Sequence, residues 1–273
     1  MRSGSCRRGV EMGFVKTKFE IEAIESRLRN PQFLDARVLQ FRYETDVDLV
    51  RELLPPPLVT TDRPEVLVRI GQYRSNCVGD FSGAGIYLPA RFEDVTGIYA
   101  VTMFMDTDAA VNFGRETFGE PKKLADVRFK HGARTVSASV RRHGIELIAA
   151  NAELGEDSGA ASLTSWAFNV KSWTAADGIG LECDAILTQT RFETELRVNQ
   201  GCDGSLTLRS TVHDPLGDLT LGRVNRVNYF EGDHSTFATS VAMIPAATFL
   251  PFAYGRNDDW SAPFPNAFAG PSA

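Results

Sequence analysis

Alternating apolar and polar residues recur along most of the chain and predict a succession of short β-strands. An alternation with period two is the side-chain repeat of a strand. The predicted strands cover residues 37–45, 65–73, 97–105, 124–129, 135–142, 145–150, 162–173, 185–198, 205–212 and 218–227. Short strands separated by turn residues favour a barrel or sandwich over alternating β-α-β units. We therefore predict a mainly β protein.

A few segments depart from this strand pattern. Residues 16–29 and 108–118 have the spacing of helices, and residues 49–54 predict a short helix that stops at three prolines. Residues 235–252 are apolar and predict a buried C-terminal helix that Pro245 interrupts. The glycine-rich residues 79–89 lack the Gly-Lys-Ser/Thr ending of a phosphate-binding loop. We interpret them as a hairpin or loop.

Composition supports one large folded unit. The chain has 273 residues, of which 43% are hydrophobic and 18 are Phe, enough for a substantial β-rich core. We predict a single domain over residues 14–273. Residues 1–13 are expected to form a disordered extension, in which Met12 offers an alternative start of translation.

Charge and hydropathy argue against two classes of partner. The net charge of −6 argues against a general nucleic-acid binder. No apolar run approaches the roughly 20 residues needed to span a bilayer, and the basic N-terminus is not followed by a signal-peptide core. The four cysteines are widely spaced and contain no CxxC pair. We expect a cytoplasmic protein that contacts neither nucleic acid nor membrane.

The run Glu120-Pro121-Lys122-Lys123-Leu124 carries the candidate chemistry. Pro121 cannot continue the preceding helix, so the lysine pair is predicted to open a strand. Alternation then sends Lys122 into the interior beside Leu124 and leaves Lys123 in water. Burial in apolar surroundings favours the neutral, nucleophilic form of an amine. On spacing alone, however, a lysine pair is more typical of a solvated strand edge.

Two separate segments resemble the acetoacetate decarboxylase family. Gly114-Arg115-Glu116, followed by Gly119 and Pro121-Lys122-Lys123-Leu124, is similar to the family's lysine signature. Tyr43-x-Thr45-Asp46 and Leu53-Leu54-Pro55-x-Pro57-Leu58 resemble its opening segment. The resemblance covers roughly residues 35–250. It implies that Lys122 forms a Schiff base with a small oxo acid, with Lys123 as a second cation nearby.

The same resemblance implies an architecture and an assembly. The expected fold is a cone-shaped closed antiparallel β-barrel with a few flanking helices, with the lysine pointing into its cavity. A homo-oligomer is expected. Neither a metal nor an organic cofactor is expected, because the protonated imine is itself the electron sink.

Three site positions of the family are changed in this chain. The family's arginine falls on Ala36, next to Arg37, and a step of one residue in a strand turns a side chain to the other face. Arg37 therefore binds the substrate carboxylate only if a bulge redirects it, and Arg115 is the alternative. The family's two acidic groups would fall on Gly83 and near Gly71 or Gln72.

Glu120 offers a carboxylate that the usual decarboxylase lacks. It precedes Lys122 by two residues, so both side chains can share one face, where Glu120 suits general acid/base catalysis. This pattern, in which the lysine is kept and the acidic residues are changed, resembles the branch of the superfamily that condenses pyruvate with an aldehyde and dehydrates the product. We predict Glu120 as the base of that reaction. Tyr254 is the candidate phenolic proton donor, with ordinary packing as the competing interpretation.

Two other functions stay open at this point. One is decarboxylation of acetoacetate or another 3-oxo acid, and the other is a non-catalytic barrel that binds a small metabolite. No spacing typical of metal ligands is present among the histidines, which lie in predicted turns or at predicted strand ends. We interpret all of them as surface or structural residues: His131, His143, His213 and His234.

Overall fold

A computed structural model describes residues 13–62 and 64–262 of the chain. Its strands are β1 (Gln32–Glu44), β2 (Glu65–Ser75), β3 (Gly79–Phe92), β4 (Val95–Met105), β5 (Lys122–Leu124), β6 (Asp126–His131), β7 (Thr135–Arg142), β8 (Ile145–Asp157), β9 (Ala161–Lys171), β10 (Ala185–Leu208) and β11 (Val224–Ile244). Its helices are α1 (Lys18–Leu28), α2 (Val47–Leu53), α3 (Asp108–Phe118) and α4 (Ala246–Gly255). The predicted mainly β fold is confirmed. The expected N-terminal extension and the alternative start at Met12 lie outside the described residues, apart from Gly13.

Polar side chains start the first three helices where the sequence predicts helices. Thr17 and Glu20 form a reciprocal capping box at α1, so two otherwise unpaired backbone N–H groups are satisfied. Asp46 caps α2 and Thr107 caps α3 through side-chain oxygens that accept backbone N–H bonds. Helix α3 ends at Gly119, whose φ of 76° lies in the left-handed region that glycine adopts without strain.

The strand pairings follow a path that returns to its start. From β11 the hydrogen-bonded neighbours are β1, β2, β3, β4, β9 and β10, and β10 pairs again with β11. Strand β10 is long enough to pair with β9 over its first half and with β8 over its second half. Strands β7 and β6 extend the sheet beyond β8.

Two pairings correct the expectation of a purely antiparallel sheet. Strand β4 pairs in parallel with β5 and with β9. Helix α3 connects β4 to β5, and such a crossover is what a parallel pair requires. The short strand β5, which carries the lysine pair, is therefore held beside β4 and does not form a hairpin with it.

The structure corrects three sequence-based assignments. Residues 79–89 belong to the largely buried strand β3. The sequence does not predict this strand because its glycines interrupt the alternation of side chains by which a strand is recognised. Residues 235–244 continue β11 through pairing with β10, and Pro245 precedes α4. The strands predicted at 185–198 and 205–212 merge into the single strand β10, which ends at Leu208, so residues 209–212 are not part of a strand.

The main core is formed by the inward side chains of the strands and by α4. Its largest fully buried members include Phe41, Tyr43, Phe104, Phe168 and Phe249. A second, smaller cluster joins Phe81, Ala100, Met103, Met105 and Ala110, where β3 and β4 meet α3. This cluster adjoins strand β5 and supports the site described below. Among the described residues, no helix combines the length and the apolar character needed to cross a membrane.

Candidate active site

The backbone turn before Lys122 positions this side chain in the protein interior. After the left-handed Gly119, the Glu120 N–H donates to the Gly114 carbonyl at 3.1 Å, which turns the chain back along α3. Pro121 ends the turn, and the Met103 N–H donates to the Pro121 carbonyl at 3.0 Å. Lys122 is then paired with Met103 of β4. The lysine side chain is 6% exposed.

Lys122 and Glu120 form a close buried pair. The distance from Lys122 Nζ to Glu120 Oε2 is 2.8 Å, and the glutamate side chain is 14% exposed. The distance is short enough for direct proton transfer, although the angles at Glu120 Oε2 are not those of a hydrogen bond. The predicted proximity of the two side chains is therefore present in the structure, but Leu124, expected on the same inward face, is 56% exposed.

Gly114 of α3 makes this approach sterically feasible. A Cβ atom at position 114 would lie 2.3 Å from Glu120 Oε2, 2.5 Å from Lys122 Cδ and 2.6 Å from Lys122 Nζ. Real Cβ atoms do not come so close to other heavy atoms. The glycine of the Gly114-Arg115-Glu116 motif thus leaves the space in which the pair is packed.

Lys122 and Glu120 line a mostly apolar cavity of about 110 Å³ inside the ring of strands. Aromatic and sulfur-containing side chains form most of its wall: Phe33, Tyr73, Phe81, Tyr87, Met103, Met105, Phe192 and Phe230. Within the described residues, Glu120 is the only carboxylate among its lining groups, and Lys122 and Arg69 are the cations. An apolar wall with a few convergent polar groups is typical of a small-molecule site.

Arg69 is a cavity residue that sequence analysis missed. Its Nε donates to Gln40 Oε1 at 2.9 Å, and its guanidinium lies 5.9 Å from the centroid of the Tyr87 ring. Among residues 13–62 and 64–262, no carboxylate forms an ion pair with it. An arginine within the apolar strand sequence Val66-Leu67-Val68-Arg69-Ile70 was the available signal. Its positive charge is available to a carboxylate in the cavity.

Two tyrosines and an asparagine supply neutral polar groups. Burial raises the pKa of Tyr87 well above its usual range and that of Tyr73 to about 12, so both phenols stay protonated at neutral pH. The side-chain oxygen of Asn169, a residue only 3% exposed, has no hydrogen-bond partner within the described part of the chain. An unsatisfied buried polar atom facing a cavity marks a place for a ligand or water.

His234 corrects the interpretation of the histidines as surface or structural groups. It lies within β11, not at a strand end, and lines the Lys122 cavity. Its Nδ1 is 2.8 Å from Thr194 Oγ1 of the neighbouring strand β10. Burial, with a smaller contribution from Arg69, lowers the pKa of His234 to about 4, so the imidazole is neutral at pH 7.

Lys123 does not meet water as predicted. It points away from the cavity and is 8% exposed, with Nζ 2.8 Å from Asp214 Oδ1 and 3.5 Å from Asp258 Oδ1. Arg142 bridges the same two carboxylates at 2.8 and 2.7 Å. Alternation separates the lysines as expected, but the outer face of β5 is covered by these groups. The charge of Lys123 is thereby neutralised locally.

Three other predicted residues lie outside the Lys122 cavity. Arg37 is half exposed, 3.7 Å from Glu231, in an adjoining polar pocket that shares Tyr73 and Phe81 with the Lys122 cavity. Arg115 donates to the Lys122 carbonyl and to Asn257 Oδ1, and it lines a neighbouring pocket that Glu120 also borders. Tyr254 is 38% exposed, and its hydroxyl contacts the backbone of Gly178 and Gly180. The structure does not bring these side chains to the amine.

The register of β2 and β3 pairs two glycines at the positions where the family's acidic groups would fall. Gly83, on which one acidic group of the family falls, lines the cavity and pairs with Gly71 of β2. No side chain projects from either position. No acidic side chain is therefore present at these positions, and Met105 fills the space beside Gly83, since its Sδ would lie 2.8 Å from a Cβ atom there. Among the described residues, Glu120 is the carboxylate that lines the cavity.

Comparison with known proteins agrees with the sequence signature. The sequence profile of the family described as acetoacetate decarboxylase matches residues 21–243. The chain is 29% identical over 231 residues to acetoacetate decarboxylase 3 of Mesorhizobium japonicum, covering 77% of this chain and 89% of that protein. It is 35% identical over 94 residues to an acetoacetate decarboxylase of Burkholderia cenocepacia, covering 34% and 38% of the two chains.

Solved structures agree on the fold. A crystal structure of acetoacetate decarboxylase from Legionella pneumophila superposes with a TM-score of 0.70 at 24% identity, covering 78% of this chain and 87% of that chain. The enduracididine biosynthesis enzyme MppR, complexed with the condensation product of pyruvate and imidazole 4-carboxaldehyde, gives 0.64 at 15% identity and covers 77% and 88%. The signature around Lys122, the profile match and these folds agree, and the chain belongs to the acetoacetate decarboxylase family of enzymes.

Proposed function

We propose that this protein is a Schiff-base lyase that condenses a small 2-oxo acid such as pyruvate with an aldehyde and dehydrates the product. The observation that carries the proposal is the 2.8 Å contact between the Lys122 amine and the Glu120 carboxylate. Aldol chemistry requires repeated proton transfers next to the imine. Glu120 is placed for these transfers. MppR, which was solved with a pyruvate–aldehyde condensation product, has a similar fold.

The first steps form the imine. Glu120 accepts a proton from the Lys122 ammonium, and the neutral amine attacks the ketone carbon of pyruvate to give a carbinolamine. The protonated Glu120 then returns a proton to the departing hydroxyl, so that water leaves and a C=N bond forms. Glu120 ends these steps as a carboxylate, ready to act again as a base.

The next steps form the new carbon–carbon bond. Glu120 removes a methyl proton from the imine, and the electron pair moves toward nitrogen to give an enamine. The enamine carbon attacks the aldehyde carbon, whose oxygen takes up a proton. Loss of a second methylene proton and of this hydroxyl gives a conjugated imine, and hydrolysis releases the unsaturated 2-oxo acid and Lys122. The net products are the unsaturated acid and one water.

Charge in the cavity suits a monoanionic substrate. Lys122 and Glu120 neutralise each other as an ion pair, while the neutral imidazole and the phenols contribute no charge. The guanidinium of Arg69 therefore gives the cavity a net charge of about +1. We propose Arg69, and not Arg37 or Arg115, as the group that receives the substrate carboxylate.

Other predicted roles change in the same proposal. Tyr87 is the phenolic proton donor in place of Tyr254, because it lines the Lys122 cavity. Lys123 anchors β5 and takes no part in the reaction. We further propose that the returning path of strand pairings encloses the cavity as the expected cone-shaped closed barrel. A homo-oligomer in the cytoplasm stays a prediction from the sequence.

Borohydride trapping tests the proposed function directly. The protein is incubated with pyruvate and reduced, and the adduct is located by peptide mass mapping. We expect a stable adduct on Lys122, loss of the adduct in Lys122→Arg, and its retention in Lys130→Arg as the matched control on an exposed strand. Pyruvate adducts elsewhere, or none on Lys122, would contradict the proposal.

Decarboxylation of a 3-oxo acid is the second candidate, favoured by the curated relatives that are named acetoacetate decarboxylases. It needs the imine and a poorly solvated carboxylate, both compatible with Lys122 in an apolar cavity. Release of carbon dioxide from acetoacetate, without condensation of pyruvate and aldehyde, would favour it. A non-catalytic binding barrel would trap no oxo acid and release no carbon dioxide.

A further inference from the structure

We propose that His234 is a catalytic residue that donates a hydrogen bond to the carbonyl oxygen of the acceptor aldehyde and stabilises the alkoxide that forms there. The inference rests on the proposed condensation and goes beyond it by assigning the site of the second substrate. It starts from where His234 lies relative to Lys122.

The two residues come from opposite parts of the strand ring. Lys122 is on β5, which is attached to β4, whereas His234 is on β11. Between β4 and β11 lie β9 and β10 in one direction and β3, β2 and β1 in the other. Both side chains nevertheless line the same cavity. A molecule bound between them meets Lys122 on one wall and His234 on the other.

In the condensation, the pyruvate ketone and the aldehyde lie at different distances from Lys122. The ketone carbon of pyruvate is bonded to Lys122 Nζ, and its methyl carbon lies one bond farther away. The aldehyde carbon adds to that methyl carbon, so the aldehyde oxygen is directed farther from the lysine. Glu120, 2.8 Å from Lys122 Nζ, serves the imine end. A second hydrogen-bond donor at the aldehyde end would stabilise the developing alkoxide before Tyr87 supplies its proton, and His234 lies across the strand ring from β5.

Contacts around His234 fix its orientation and its proton. Thr194 Oγ1 is 2.8 Å from Nδ1, and the two residues face each other across the β10–β11 pairing. We assign the threonine hydroxyl as the donor to Nδ1, which places the ring proton on Nε2 and leaves that N–H for a ligand. The ring of Phe230, also on the cavity wall, lies 6.2 Å from the imidazole in an edge arrangement. The imidazole is thus held as a donor before substrate arrives.

A neutral imidazole suits this task. Burial and Arg69 lower the pKa of His234, so the group donates a hydrogen bond without carrying charge into the apolar cavity. In triosephosphate isomerase a neutral histidine polarises a substrate carbonyl in the same way. Aldehyde activation by His234 leaves Arg69 for the substrate carboxylate and Glu120 for protons at the imine. Each of the three polar groups then acts on a different part of the two substrates.

The test separates three stages in the intact protein. Borohydride trapping with pyruvate reports the imine, deuterium uptake into the pyruvate methyl group in D₂O reports enamine formation, and mass spectrometry of the product with imidazole 4-carboxaldehyde or benzaldehyde reports addition. The variant His234→Phe removes the donor and keeps an aromatic ring, and His234→Gln retains an N–H donor. His131→Phe, on an exposed strand end, is the matched control.

We expect His234→Phe to keep trapping and deuterium uptake while addition falls about 100-fold, the usual cost of losing one donor to a developing oxyanion. His234→Gln should recover part of the loss, and His131→Phe should match the unaltered protein. Retained trapping in His234→Phe also shows that the variant is folded.

Two results would overturn the assignment and leave the proposed function intact. One is addition by His234→Phe at about the rate of the unaltered protein. The other is a loss of deuterium uptake in His234→Phe as large as its loss of addition, which would place His234 at an earlier step. If the unaltered protein traps pyruvate but adds it to neither aldehyde, the assignment falls with the condensation. If it traps no pyruvate, the Schiff-base function itself has failed.

Discussion

At the scale of single residues, the site depends on which side chains are small as much as on which are reactive. Gly114 leaves the space for Lys122 and Glu120, and Gly83 leaves the space that the Met105 side chain fills on the cavity wall. The Lys122 amine contacts one carboxylate and lies in a cavity whose wall is mostly apolar.

Gly114→Ala should impair imine formation more than folding. The new methyl group would lie 2.3 Å from Glu120 Oε2 and 2.6 Å from Lys122 Nζ, so the pair has to move. A displacement near 1 Å costs roughly 100-fold in rate, and we expect a drop of that order in the rate of pyruvate trapping. Gly255→Ala in α4 is the control, since nothing lies within 4 Å of its added Cβ. Equal trapping rates in the two variants would contradict the steric argument.

His234 should make the folded state sensitive to mild acid. Its folded pKa of about 4 is below the unfolded value of 6.5, so the unfolded chain binds the proton first as pH falls. The contribution of neutral His234 to the free energy of unfolding is complete above pH 6.5, and it declines by about 3 kcal/mol as pH falls toward 4. Urea unfolding at pH 7 and pH 5 measures the decline. His234→Phe should lose stability less steeply over this interval, and an unchanged slope would show that other groups cause it.

At the scale of secondary-structure elements, β5 is held on both faces although it has only 3 residues. The inner face presents Lys122 to the cavity, and the outer face presents Lys123 to Asp214, which is 1% exposed, and to Asp258. Arg142 on β7 joins the same carboxylates. This network ties the lysine strand to the segments before and after β11. The second lysine therefore positions the strand that carries the first.

Replacing Lys123 by Met should destabilise the fold without removing the reactive amine. Loss of one partner of a buried ion pair costs about 3 to 5 kcal/mol, and we expect the lower end because Arg142 still neutralises Asp214 and Asp258. The free energy of unfolding from urea titration measures the effect, and trapping with pyruvate should persist in the folded fraction. Lys130→Met, at an exposed position of β6, should change stability by less than about 0.5 kcal/mol. Similar effects of the two substitutions would show that the network contributes little.

At the scale of the whole molecule, the strand ring and α1 should differ in local stability. Strands β1 and β2 are buried between paired neighbours, while α1 has no buried residue and exposes Phe19, Ile21, Ile24 and Leu28. Regions with few buried contacts open more easily. Exposed apolar side chains are also typical of surfaces that bind another chain. The local stability of α1 therefore also tests the predicted homo-oligomer.

Amide hydrogen exchange measures this difference. At a protein concentration low enough to favour single chains, we expect the amides of α1 to exchange early and those of β1, β2 and β11 to exchange last. Protection that appears in α1 as the concentration rises would indicate that a second copy covers the helix. Uniform protection of α1 and the strands at every concentration would contradict the expectation.

The sequence by itself determined the local features of this protein, because they depend on neighbours along the chain. Caps at Thr17 and Thr107, the stop at Gly119 and the turn at Pro121 act within a few residues, so α1, α3 and the start of β5 were predictable. The lysine signature and the spacing of Glu120 from Lys122 were equally visible. Together with the alternation of apolar and polar residues along the strands, these features were sufficient for the mainly β class, the family and the candidate amine.

Only the tertiary structure decided which distant residues surround that amine. Arg69, Tyr87 and His234 are on strands far apart in sequence, and their side chains converge because the strand path returns on itself. The same pairing made residues 235–244 a strand despite their helix-like composition, and burial by Asp214 and Asp258 kept Lys123 from water. Local patterns contain no information about strand partners or about the charges across a cavity. For that reason the arginine, phenol and histidine of the site could be assigned only after the strands were placed together.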